Sequence, residues 1–172
     1  MDNEQEKREE NILNVVTKAI ESIAIYRGMI SIFDDFKDNS IFVTLLNNCA
    51  MISVIRICNI FGTDKENNHW KRLTVNHEHF RKQVILKVFK NWSEYEEYNN
   101  KLRKFRNEFT VHSIGNYNVE FPKHDKSLEL LFTILEYILS NGNFIVAENP
   151  IKNAQDFYNE ILNNTINMFK KK

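Results

Sequence analysis

An all-α fold, an up-and-down bundle of about five to six helices, is what this sequence predicts, and three observations carry it. Only 4 Gly and 2 Pro occur in 172 residues, too few sharp turns for a sheet built of hairpins. Apolar residues recur at steps of three and four along most of the chain. Polar breaks with helix-capping residues separate those runs. With 42% hydrophobic and 27% charged content, one domain over 1–172, with its core at about 11–169, is expected.

The first helix is expected from about Asn11 to Phe36, with Ile12, Val15, Val16, Ala19, Ile20, Ile23, Ala24, Met29, Ile30 and Phe33 on its apolar stripe. "KDNS" then breaks the chain and offers Ser40 as N-cap to "IFVTLLNNCAMISVIRICNIFG", which Gly62 ends. That second helix is apolar on most faces and should be the most buried. Its Arg56 and Asn59 must therefore find partners or a wet cavity. Residues 63–76 read as a polar connector pinned to the core by Trp70 and Leu73. A third helix is expected from about Glu78 to Asn91. Ser93 and Glu96 have capping-box spacing and mark the start of a fourth. Pro122 and "KHDKS" interrupt the chain before a fifth helix, from about Lys126 to Ser140, closed by Asn141 and Gly142. Asn149 and Pro150 form an N-cap and first turn for the last, which holds Ala154, Phe157, Ile161, Leu162, Ile166 and Phe169.

Charge is balanced at 23 basic and 23 acidic side chains, which excludes the strongly positive field of a general nucleic-acid coat. Any phosphate contact must come from a local patch, and Lys101, Arg103, Lys104 and Arg106 supply one within six residues. Cys49 and Cys58 fall on opposite faces of one helix, about 13 Å apart along its axis, and cannot pair. The polar N-terminal stretch does not resemble a signal peptide and no run is expected to span a membrane, so a cytoplasmic location is the default. "NHEHF" places His77 and His79 two apart, which does not bring both imidazoles to one metal, and no metal site or cofactor is expected.

On the fourth helix Tyr95, Tyr98, Leu102, Phe105 and Phe109 step by three and four, and the next step lands on His112. Arg106 borders the same stripe, so both side chains should face the packed side. A structural account is available for each: Lys104, Glu108 and His112 form an i, i+4, i+8 ladder, and a histidine near a helix C-terminus suits the helix dipole.

The segment "RNEFTVH", Arg106 to His112, resembles the Arg-x4-6-His signature of the HEPN superfamily, small all-α domains many of which are ribonucleases. The layout from Ala24 to Ile138 is also similar: "RICNIFGTD" closing an apolar helix, a Trp-Leu turn at Trp70 and Leu73, then "LRKFRNEFTVHS" before a proline and another helix. It most resembles the AbiU-like group, linked to abortive phage infection. The resemblance implies a metal-independent endoribonuclease of a toxin or antiphage defence system, RNA as substrate, and an active site at a homodimer interface. Arg106 and His112 would be catalytic, with Asn107 holding the arginine or donating to phosphate. Lys101, Arg103 and Lys104 would contact substrate backbone. An antitoxin partner fits the same class. Some HEPN toxins have a tyrosine two positions after the histidine that an antitoxin modifies; here that position is Ile114 and the nearest tyrosine is Tyr117, so such control is not expected. The chemistry suits the residue types: histidine moves protons near neutral pH, and a guanidinium fork matches phosphate oxygens. The alternative is a non-catalytic HEPN-like helical dimer that binds nucleotide, RNA or a partner protein.

Overall fold

The computed structural model describes residues 3–63, 65–72, 74, 76–111, 123–141 and 153–170. Among them every regular element is helical and no strand occurs. The architecture is an all-α bundle.

Its axis is α1 (Asn3–Ile30), which packs against α3 (Ser40–Phe61), α7 (Asp125–Asn141) and α8 (Ala154–Lys170). Ile12, Val16, Ala19, Ile20, Ile23 and Ala24 are buried along it, and this 3.6-residue stripe is what draws three helices around one. At Gly28 the absent side chain lets α8 approach: a Cβ there would lie 3.0 Å from the Thr165 side chain. The expected first helix breaks at Ile30, and a short α2 (Phe33–Phe36) turns the chain. Phe36, Phe42 and Phe169 pack ring on ring, closing a smaller apolar cluster with Met29, Ile32 and Leu46.

Helix α3 corrects two expectations. Its N-cap is Asn39, whose side chain accepts from the N–H groups of Ile41 and Phe42, and Ser40 is already helical. Nor is it the most buried element, since Ile41, Leu45, Ile52 and Ile55 are 71%, 45%, 42% and 39% exposed. Composition reports how apolar a helix is but not how many neighbours it has; α3 lies at the edge of the bundle, with α1 on one side and α6 (Trp92–Phe105) on another. By length and composition alone this helix could also cross a membrane, against the expectation that no run is of that kind, although core helices of soluble proteins meet the same criterion. Arg56 finds its partners on α1, donating to the Lys18 carbonyl (2.6 Å) and to Ser22 Oγ (2.5 Å). Both cysteines are free thiols.

After α3 a 3-10 turn, Trp70–Arg72, buries Trp70 against Phe80, the rings stacked 4.9 Å apart; Leu73 lies outside the described residues. The third expected helix is three pieces: α4 (His77–Phe80), a π-wound turn at Arg81–Ile85, and α5 (Leu86–Val88). Helix α6 (Trp92–Phe105) starts on Asn91, whose side chain accepts from Glu94 N–H, while Glu94 accepts from Lys90 N–H. The Ser93–Glu96 capping box is thus not the one used; a similar exchange is made two residues earlier, because Asn91 is the residue with extended backbone there. Arg27 with Asp125 (2.5 Å) and Lys126 with Glu94 tie the start of α7 to α1 and α6. Asn153 caps α8, accepting from Asp156 N–H at 2.6 Å. Gly142, Asn149 and Pro150 lie outside the described residues.

Candidate functional site

Tyr95, Leu102 and Phe105 are buried and Tyr98 half-buried, so the seam read on α6 exists up to Phe105. There the winding changes: Arg106–Val111 is a π-wound segment packed against α3. An i to i+5 winding adds a residue to the turn and rotates the residues beyond it by about 100° from an α-helical reading. Arg106 opens this segment. Its N–H reaches the Leu102 and Arg103 carbonyls.

The Arg106 side chain is 18% exposed and faces the packed side, as its place beside the seam predicts. Nη1 lies 3.2 Å from Glu66 Oε1, and Nε donates to Asn107 Oδ1 at 3.2 Å. Asn107 is thus a hydrogen-bond partner of the arginine. Glu66, 40 positions away in sequence, is the residue that sequence reasoning missed. It stands in the connector after α3, fixed by its N–H on Thr63 O and by its carbonyl, which accepts from His69 N–H and Arg72 Nε. Near this pair lies Cys58, whose thiol is pushed up to about 11 by burial, an effect that Arg106 moderates and Glu66 reinforces. It stays protonated and unreactive at neutral pH.

The other cations of the basic run are spread over several partners. Lys101 pairs with Glu97 at 2.7 Å and Lys104 with Glu108 at 4.0 Å, both one helical turn apart and both lysines well exposed. Arg103 bonds to Asn100 and lines a cleft of about 210 Å³ between α6 and the 3-10 turn. His112, Ile114 and Tyr117 lie outside the described residues. His77 is engaged with the Lys71 carbonyl at 2.8 Å.

What this geometry can do is hold a guanidinium fork at one edge of α3 with its orientation fixed by a carboxylate and an amide. A phosphate approaching it would compete with Glu66 for charge-assisted hydrogen bonds. Comparison with known proteins gives no match: no family model fits the chain, and no curated protein or solved structure is significantly similar to it. The class the coordinates define is therefore the all-α bundle itself.

Proposed function

We propose that the chain is a metal-independent endoribonuclease of the HEPN type, acting in the cytoplasm as a toxin or abortive-infection factor, with its active site at a homodimer interface. The observation that supports this best is Arg106, half-buried on a π-wound turn and oriented by Glu66 and Asn107. Such turns recur at functional sites. In this reading the ribose 2′-oxygen attacks phosphorus while His112 takes its proton. The 5′-oxygen leaves with a proton taken from water, and a 2′,3′-cyclic phosphate remains. Arg106 stabilises the charge building on the phosphate oxygens.

The homodimer is supported by the outer stripe of α3. Ile41, Leu45, Asn48, Ile52 and Ile55 step by four and three, the spacing of a helix seam. The one charged residue of α3, Arg56, is committed to α1, so a two-fold copy would meet no like charge there. Asn48, midway along, would set the register. A neutralising antitoxin is the further partner that a toxin role entails.

One observation favours the non-catalytic reading. The Arg106–Glu66 pair is what a purely structural arginine would make. The two readings separate in EDTA with single-stranded RNA and transfer RNA as substrates. Wild type is expected to cut both, and His112→Ala and Arg106→Lys, matched to it in thermal stability, to be slower by about 100-fold or more. Intact RNA with a clear dimer in solution would transfer the proposal to a binding module.

A further inference from the structure

We infer that the cleft beside Arg106 is a subsite for one unstacked base of single-stranded RNA, an inference that rests on the ribonuclease reading above. Its floor is Asn99, 8% exposed, in the middle of α6. The amide nitrogen of Asn99 reaches the Gly62 carbonyl at 3.4 Å, while Oδ1 is buried with no hydrogen-bond partner. A buried acceptor left unmatched destabilises a fold unless a ligand or water completes it. Asn99 lines the cleft, so a completing donor can come from there.

The rest of the lining says what kind of donor. Trp92 is the half-buried aromatic ring of the lining, Trp70 being 2% exposed and stacked on Phe80, and among the described residues Lys71 and Arg103 bring two positive charges against the carboxylate of Glu96. A pocket with one reachable aromatic ring and a cationic rim fits a base joined to phosphate, and the N–H edge of a base fits an amide oxygen. A volume of about 210 Å³ is smaller than the roughly 300–1,000 Å³ that enclose whole small molecules, and it suits one ring system. Position agrees. Arg103 is one turn before Arg106, and the turn that carries Glu66 also carries His69 and Trp70. A base in the cleft would adjoin the phosphate that Arg106 holds.

The test uses the His112→Ala protein, which should bind without cutting, in EDTA with a fluorescent single-stranded RNA of mixed sequence. An abasic strand with the same number of phosphates should bind about tenfold more weakly. Asn99→Leu, compared at a temperature where its circular dichroism matches that of its parent because it also gives up the bond to the Gly62 carbonyl, should lose about that factor on RNA and leave the abasic strand unchanged. A second measurement needs no change at Asn99: adenosine 5′-monophosphate should displace the RNA and ribose 5-phosphate should not. Equal binding of the two strands, displacement by both small molecules or by neither, or no binding at all would overturn the subsite. So would Asn99→Leu binding RNA as its parent does. These outcomes are separate from cleavage by wild type, whose absence counts against the ribonuclease reading instead.

Discussion

His124 shows how one buried ring sets a response to pH. It is 4% exposed, Nε2 lies 2.8 Å from Ser53 Oγ, and Tyr26 packs edge-on against it. Ser53 already donates to the Ala50 carbonyl at 2.6 Å, which makes the imidazole the donor to Ser53. Burial first, then the charge of Arg27, push the imidazole down to about 4, with Asp125 opposing. A group whose folded pKa is depressed below its unfolded value of 6.5 is neutral in both states above that value. As pH falls below it the unfolded chain takes up a proton that the folded one refuses. Stability should therefore be flat above pH 6.5 and decline down to about 4, by about 3 kcal/mol. Urea midpoints across that range check this, and His124→Leu should remove most of the slope. Gly62 gives a second prediction at this scale. A Cβ there would stand 2.2 Å from the Cys58 carbonyl oxygen, so Gly62→Ala should lower the unfolding free energy by about 1–3 kcal/mol in urea titration. Residue-scale legibility was uneven. Arg106 and Asn107 could be found because adjacency and a motif pointed to them, whereas Glu66 and Asn99 could not. The first meets its partner across 40 positions, and the second matters through an acceptor that only a folded cleft leaves unmatched.

Helix starts were legible in kind but not in place. Asn39, Asn91 and Asn153 cap α3, α6 and α8, while spacing had pointed to Ser40, Ser93 and Asn149. Asn and Ser cap with similar strength, so the choice falls to backbone conformation, which neighbouring elements fix. The π-wound turns at Arg81–Ile85 and Arg106–Val111 left no sequence signal. An inserted residue is stabilised by packing against the next helix and not by propensity. The outer face of α3 is the element with the clearest consequence. In a two-fold pair across Ile41, Leu45, Ile52 and Ile55, one Ile52→Lys substitution brings two ammonium groups into an apolar seam. If the proposed homodimer forms, wild type should sediment as a dimer and that variant as a monomer with its helical circular dichroism kept, because Ile52 is 42% exposed in the single chain. A dimer that survives both Ile52→Lys and Ile55→Lys would place the contact elsewhere.

At the scale of the molecule, balanced charge limits how the proposed RNA substrate would be held. With 23 cations and 23 anions, no broad positive field gathers a strand, and the basic run on α6 is partly neutralised by Glu97, Glu108 and Glu66. The all-α class was readable from few turns and regular apolar steps, since both are summed over the chain and survive local errors. Which charges remain for a ligand was not, because ion pairing is a property of the folded surface. If Arg106, Arg103 and Lys71 supply the phosphate contacts, about three counterions leave on binding. The logarithm of affinity for single-stranded RNA should then fall against the logarithm of salt with a slope near −2, roughly 0.7 per contact. Fluorescence anisotropy of the His112→Ala protein between about 50 and 200 mM salt measures it. A slope steeper than about −4 would mean that many more lysines engage the backbone, and that recognition rests on a wide surface in place of the cleft and Arg106. With the shallow slope, Arg103→Gln should reduce it by about 0.7 while Lys101→Gln, already paired with Glu97, should leave it unchanged.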